Sequence, residues 1–252
     1  MTMACACEHC GHEFEGEPEG GHRLLCGDAT SVADVARVLA GKAALCLTDP
    51  PYGIGGTESA KNDYTEYVDT RENLIRLIGG FMPLAQTVAP VVVLTPGNVN
   101  QRLYPEPTWT MAWFTPAGVG SGPRGFCCWQ PILCFGKDPM LSRGKGRHPD
   151  AIVHTESAEK NGHPCAKPIN FWCWLVERTS RIGDLIYEPF SGSGTTIVAA
   201  EMTARTCHAI EVSDAYCDVA VKRWSKFTGR TGVLADGGRA FEEVAHARGV
   251  PT

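Results

Sequence analysis

Leu185-Ile186-Tyr187-Glu188-Pro189-Phe190-Ser191-Gly192-Ser193-Gly194-Thr195-Thr196 reads as a strand, a glycine turn and the start of a helix. Gly192 and Gly194 let the backbone come close to a ligand, and the helix N-terminus offers unpaired N–H groups. A lone turn of this kind also serves as a plain tight connection. The next apolar run ends Ala209-Ile210-Glu211, which puts a carboxylate 17 positions beyond Gly194. In a strand–helix–strand unit, a carboxylate there can accept both hydroxyls of a ribose. This half of the chain therefore points to an α/β fold and a nucleoside-containing cofactor, with NAD as the default.

A second signature precedes it. Asp49-Pro50-Pro51-Tyr52 closes the apolar run Ala43-Ala44-Leu45-Cys46-Leu47-Thr48 and is followed by Gly53-Ile54-Gly55-Gly56. Proline fixes φ and has no N–H, so two in succession hold the chain in one extended shape. Their carbonyls have few partners within a sheet. The result is a carboxylate, a free backbone acceptor and a flat ring close together, a set that suits a planar amino group on an aromatic base. Read out of context, the same tetrapeptide is a strand end followed by a Pro-Gly turn.

The rest of the chain alternates strand and helix from His22 onward. Arg23-Leu24-Leu25-Cys26 is a short strand ending in Gly27-Asp28, and Thr30 or Ser31 caps a helix over 32–39. Further helices are expected near 71–87, 168–181, 195–204 and 214–228. Strands are expected at 91–94, 109–114, 126–135, 184–187 and 207–212. Residues 55–69 read as a mobile loop, and Pro116–Gly125, with four glycines and two prolines, as another. Residues 136–162 lack periodicity, which in a compact enzyme marks a functional or disordered stretch. No internal repeat is present. The expected division is an acidic, loosely ordered tail over 1–21, one domain over 22–228 and a surface tail over 229–252.

Length and composition fit one large soluble domain. No apolar run approaches bilayer length, and Met1–Gly20 is acidic rather than basic and then apolar, which argues against a signal peptide or membrane anchor. Twelve cysteines are scattered among apparent core segments, a pattern that suggests a reducing, cytoplasmic setting. Cys7-Glu8-His9-Cys10 resembles one knuckle of a zinc ribbon. Zinc needs four ligands and no second Cys-x-x-Cys follows, so no metal is expected.

The net charge of −5 disguises a local pattern. Glu8, Glu13, Glu15, Glu17 and Glu19 face no Lys or Arg in the first twenty residues, and beyond them 23 acidic residues balance 23 basic ones. Between 123 and 148, Arg124, Lys137, Arg143, Lys145 and Arg147 oppose only Asp138. That excess can engage phosphates, or it can simply be a solvated loop.

Phe190-Ser191-Gly192-Ser193-Gly194, Asp49-Pro50-Pro51-Tyr52 and His163-Pro164-Cys165-Ala166-Lys167-Pro168 together resemble the amino-methyltransferases that use S-adenosylmethionine. Those enzymes methylate the exocyclic nitrogen of adenine or cytosine in DNA. The tetrapeptide comes first and the glycine turn about 140 residues later, an order that resembles the circularly permuted β class. The resemblance covers residues 22–228 and implies a Rossmann-like three-layer αβα fold with a mostly parallel sheet. Two departures stand out: Glu188 replaces the family's Asp before Pro-Phe, and Cys165 and Ala166 replace residues that are often polar.

The resemblance implies that Asp49 and the carbonyl of Pro50 accept hydrogen bonds from the target amino group, with Pro51 rigidifying the turn and Tyr52 stacking on the base. It places Phe190, Gly192, Ser193, Gly194, Thr195 and Thr196 around the methionine part of the cofactor, with Glu188 at its amino-acid end. Glu211 then serves the ribose, and Asp28 with Ala29 the adenine. Lys167 and Pro168 shape the cofactor pocket. Asp28 reads equally as a cap for the following helix. The cysteines are structural. The implied partner is double-stranded DNA, from which the target nucleotide is flipped, with the loop 55–69 closing over it.

Recognition is expected within about 97–162, a short region that suggests a homodimer on one duplex. The tetrapeptide favours adenine N6 over cytosine N4. Methylation of RNA or a protein amide, and a catalytically silent DNA-binding or cofactor-sensing protein, are the alternatives. A bacterial or phage origin is implied, with or without a cognate restriction endonuclease.

Overall fold

Four short apolar runs build the parallel centre of the sheet, and the most buried of them, Leu45–Thr48, has every residue out of solvent. A strand covered on both faces needs apolar side chains on both, and that is what Leu45-Cys46-Leu47 supplies. The computed structural model describes residues 21–53, 68–116, 118, 120–141, 148–155, 167–235 and 238–247, with the backbone alone of Ala4–Cys7 and His12–Glu13. The strands are β1 (Ala4–Cys7), β2 (His12–Glu13), β3 (Arg23–Cys26), β4 (Leu45–Thr48), β5 (Val92–Leu94), β6 (Trp109–Phe114), β7 (Ser121–Gly122), β8 (Gly125–Phe126), β9 (Trp129–Phe135), β10 (Ala151–Val153), β11 (Leu185–Glu188), β12 (Thr206–Glu211) and β13 (Val233–Leu234). The helices are α1 (Val32–Val38), α2 (Arg71–Val88), α3 (Ile169–Thr179), α4 (Thr195–Met202), α5 (Asp214–Thr228) and α6 (Phe241–Ala247).

The main sheet runs β10-β6-β9-β5-β4-β11-β12-β3-β1-β13, with β2 beside β1 and a separate β7-β8 hairpin. From β5 to β13 the neighbours are parallel, whereas β9 runs antiparallel to both β5 and β6. Helices cover both faces. Phe171, Trp172, Leu175 and Val176 of α3 pack on one face with α4, α5 and α6, and the inner sides of α1 and α2 pack on the other. This is the three-layer αβα arrangement expected from the sequence.

Strand order fixes where a ligand can sit. From β4 the chain proceeds outward to β5, and from the adjacent β11 it proceeds the opposite way to β12. Two neighbouring parallel strands whose following helices depart in opposite directions open a crevice beyond their carboxyl ends. Asp49 leaves β4 and the glycine turn leaves β11 at that crevice. The two sequence signatures are neighbours in space although more than a hundred residues separate them.

Both expected tails differ from the expectation. Ala4–Cys7 pairs in parallel with all four residues of β3, so part of the first 21 residues extends the sheet. At the other end, Phe241, Val244 and Ala245 of α6 join the core, and Val233 and Leu234 pair with β1. The i, i+3, i+4 spacing of 241, 244 and 245 is a helical face, short enough to be overlooked among charged neighbours. The region 116–125 contributes the β7-β8 hairpin, and β10 emerges from the stretch 136–162 as the edge strand beside β6. The segment 54–67, the pair Cys7/Cys10 as zinc ligands, and Arg143, Lys145 and Arg147 lie outside the described residues or side chains.

Candidate active site

Asp49 is held from three sides. Its Oδ1 accepts from the Tyr52 hydroxyl at 2.7 Å and from the Thr95 hydroxyl at 2.5 Å, and its Oδ2 accepts from the Lys167 ammonium. Thr95 follows β5, and its N–H bonds back to the Thr48 carbonyl at 3.2 Å, so the sheet itself aims that hydroxyl. The Asn100 side chain donates to the Tyr52 carbonyl at 2.7 Å, and a Cβ on Gly97, whose φ is +71°, would stand 3.4 Å from the Tyr52 ring. No donor among the described residues reaches the carbonyl oxygen of Pro50. The tetrapeptide is a clamped turn with one backbone acceptor left over.

Lys167 joins this cluster rather than the glycine turn. Its Nζ also donates to the Tyr52 hydroxyl at 2.8 Å and lies 5.2 Å from the ring centre. Burial works against its charge, yet Asp49 and Tyr52 outweigh burial and hold the ammonium pKa above the ordinary lysine value. Burial, then the Asp49 charge, push the Tyr52 phenol upward, so it stays a neutral O–H. The segment's Pro168 starts α3 as its N-cap residue.

The glycine turn follows β11. Gly192 and Gly194 have φ of +51° and +78°, a left-handed backbone that an L side chain resists. A Cβ on Gly194 would stand 2.8 Å from the Cβ of Ala220, so α5 packs directly beneath the turn. Arg223, one helical turn farther along α5, donates to the Thr195 hydroxyl at 2.8 Å and to the Ser193 carbonyl at 3.3 Å. Glu211, at the end of β12, accepts the Gly192 N–H at 2.6 Å and the Ser213 N–H at 3.1 Å. Gly27 at the end of β3 bonds to the Glu211 carbonyl at 2.9 Å. Asp28 is exposed beside it, and its carboxylate accepts the Thr30 N–H and hydroxyl, each at 2.8 Å. Ser31 rather than Asp28 caps α1. Asp28, Ala29, Glu211 and the turn thus lie together beyond the carboxyl ends of the neighbouring strands β3, β12 and β11.

One residue expected on the cofactor, Glu188, is turned inward. Glu188 is only 2% exposed, and its oxygens accept from the Thr48 hydroxyl, the Phe190 N–H at 2.9 Å and the Thr196 hydroxyl at 2.5 Å. Thr196 in turn accepts the Trp172 indole N–H at 2.7 Å. An indole N–H can only donate, so the Thr196 proton must point at Glu188. The extra methylene of Glu relative to Asp turns this carboxylate into an internal tie between β4, β11, α3 and α4. Phe190 is half-buried, edge-on to Phe81 of α2 at 4.9 Å. Nothing in the local sequence pattern assigns a site role to Thr48, Thr95, Asn100, Trp172 or Arg223.

A family model described as DNA methylase, covering N6 and N4 methyltransferases, matches residues 100–222. The type II methyltransferase M.HpaI of Haemophilus parainfluenzae is 21% identical over 241 residues, spanning 82% of this chain and 76% of that one. These matches support an amino-methyltransferase family for the chain. S-adenosylmethionine is the methyl donor of that family. The fold is also that of M1.HpyAVI, solved as a complex with S-adenosylmethionine: TM-score 0.54, 19% identity, 79% of this chain and 97% of that one. PvuII DNA methyltransferase, cytosine-N4-specific, gives a TM-score of 0.56 at 16% identity, over 86% and 94% of the two chains.

The burial of Glu188 has a measurable consequence. Burial, only partly offset by its three donors, pushes its pKa up to about 8. A carboxyl raised in the folded state contributes stability that is complete below its unfolded pKa and is lost as pH rises through the folded one. Urea unfolding of the wild type is therefore expected to show stability declining between about pH 5 and pH 9. In Glu188→Gln, with Thr48 free to rotate and accept from the new amide, that decline should flatten. An equal slope in both proteins would contradict the assignment.

Of the five basic residues, the described Arg124 and Lys137 do not share a patch. Arg124 is exposed in the turn between β7 and β8, which adjoins the start of β9. Lys137 is exposed just past the other end of β9, where Gly136 abuts Pro90 at the amino end of β5. A seven-residue strand is about 23 Å long. Lys137 therefore lies at the rim opposite Asp49, and its neighbour Asp138 pairs with Arg178 at 2.8 Å. Charge counting along the sequence merged two ends of the sheet. Among the described residues, no group of three His, Cys, Asp or Glu is placed to hold a metal ion, and no helix is long and apolar enough to cross a membrane.

Proposed function

We propose that this chain transfers a methyl group from S-adenosylmethionine to the exocyclic N6 of adenine in duplex DNA. The observation that carries the reading is the paired acceptor at the end of β4. Asp49 keeps a lone pair on Oδ2 after accepting from Lys167, and the Pro50 carbonyl has no partner among the described residues. An exocyclic amine is a poor nucleophile because its lone pair is delocalised into the ring. Two fixed acceptors draw its hydrogens out of the ring plane and leave the lone pair available. Because they are already in place, little reorganisation is needed during reaction.

S-adenosylmethionine, when bound, supplies an electrophilic methyl on a sulfonium. Gly192, Ser193, Gly194 and Thr195 at the start of α4 would hold its amino-acid end, with Glu211 at the ribose and Asp28 and Ala29 near the adenine. A nucleotide in a duplex must be flipped out to reach Asp49, and the face of Tyr52 offsets part of the unstacking cost, which is a few kcal/mol. Arg124 and the exposed Phe114, Phe126 and Trp129 lie toward the same end of the sheet as Asp49 and suit a DNA approach from that side. The small recognition region favours a homodimer on one duplex.

The tetrapeptide Asp-Pro-Pro-Tyr favours adenine, and the similarity in fold to a cytosine-N4-specific enzyme keeps N4 as the second reading. Mass analysis of nucleosides from DNA of cells expressing the chain, with sequencing that maps the modified positions, separates them. N6-methyladenine at a defined sequence is expected. N4-methylcytosine without N6-methyladenine would overturn the choice of base.

A further inference from the structure

Lys167 carries an ammonium, which has three donors and no acceptor. It spends one on Asp49 Oδ2 and one on the Tyr52 hydroxyl. Among the described residues the third has no partner, although Lys167 is only 9% exposed. Asp49 mirrors this: Oδ1 takes two donors and Oδ2 takes only the lysine. A free acceptor site and a free donor site thus stand side by side at the mouth of the same crevice, with the Tyr52 ring beside both.

We propose that Lys167 is a specificity-determining residue of the target-base pocket, donating its third N–H to the ring nitrogen next to the amino group held by Asp49. The proposal rests on the reading of Asp49 as the amino-group acceptor. An acceptor adjacent to a donor matches one kind of base edge. Adenine offers N6–H beside unprotonated N1, and cytosine offers N4–H beside unprotonated N3. Guanine and thymine present the reverse, a carbonyl oxygen beside a ring N–H. Either would set oxygen against the Asp49 carboxylate and N–H against the ammonium, so that the free acceptor and the free donor would each face a like group and stay unmatched. The pair therefore admits the two amino bases and rejects the two oxo bases. Tyr52 fixes the geometry, because its hydroxyl donates to Asp49 while accepting from Lys167 and so holds the two charges in register with its ring.

The test uses the full chain, S-adenosylmethionine and synthetic duplexes bearing the mapped site, with the target adenine intact or replaced by 1-deazaadenine or 7-deazaadenine. If the mapped base is cytosine, 3-deazacytosine takes the place of 1-deazaadenine. Removing the ring acceptor should lower kcat/KM of the wild type by about 10- to 100-fold, the weight of a hydrogen bond from a charged donor. 7-Deazaadenine should be methylated nearly normally. Lys167→Met should lose a similar factor on the intact base and lose no more on the 1-deaza base. Lys167→Arg, which keeps a charged donor, should retain part of the discrimination and serves if the Met variant fails to fold.

A purely structural role for Lys167 would slow all substrates alike. An equal 1-deaza loss in wild type and both folded variants, or no such loss in wild type, overturns the proposal. A wild type with no activity on the intact site, or an Asp49→Ala variant as active as wild type, instead overturns the reading beneath it.

Discussion

Asp49→Ala is expected to lower methyl transfer by between about a hundred- and a thousandfold, the scale of removing one preplaced hydrogen-bonding group from a reacting centre. Binding of S-adenosylmethionine should stay within a few fold, because the glycine turn, Glu211 and Asp28 lie on other strands. The same substitution should cost stability. It strips Lys167 of its carboxylate while the ammonium stays buried, a loss of about 3–5 kcal/mol for a broken buried pair. The two effects separate in Asp49→Ala/Lys167→Met. Removing both charges should restore most of the melting temperature and none of the activity. Recovered activity in the double variant would mean that Asp49 matters only through folding.

The outline of this site was legible in the sequence, and its wiring was not. Asp49-Pro50-Pro51-Tyr52 and the glycine turn carry their conformation locally: prolines fix φ, and glycines permit positive φ. Their chemistry could therefore be read from short stretches, and the strand periodicity around them gave the αβα layers. Lys167 was expected to shape the cofactor pocket, and only the folded sheet shows that its ammonium reaches Asp49. Glu188 was taken to face the cofactor because one residue's position along a strand does not say which donors wait behind it. Thr48 and Thr196 sit behind it, one on the preceding strand of the sheet and one on the following helix. Lys137 failed for the opposite reason. Charge adjacent in sequence to Arg124 was carried by β9 to the far rim.

Gly194→Ala is the second large effect expected. A left-handed φ of +78° costs an alanine about 1–2 kcal/mol. The added methyl also meets the Cβ of Ala220 at 2.8 Å, and overpacking of that kind costs about 1–3 kcal/mol more. Thermal or urea unfolding should show a loss on the order of 2–5 kcal/mol. Cofactor affinity measured by calorimetry should fall at least tenfold as the turn shifts off Arg223. Adding Ala220→Gly removes the 2.8 Å contact but leaves the Cα of residue 220 at 3.1 Å and the backbone strain, so the double variant should recover only part of the affinity. Full cofactor affinity in Gly194→Ala would show that this turn does not hold the methionine end.

The chain of bonds from Trp172 through Thr196 and Glu188 to Thr48 constrains how this sequence can have diverged. A single change from Glu to Asp at position 188 withdraws the carboxylate by one methylene and leaves two hydroxyls and a backbone N–H reaching for an oxygen that has moved. Glu188→Asp is thus expected to be tolerated only together with changes at 48 and 196, which makes the ends of β4 and β11 and the start of α4 one unit under substitution.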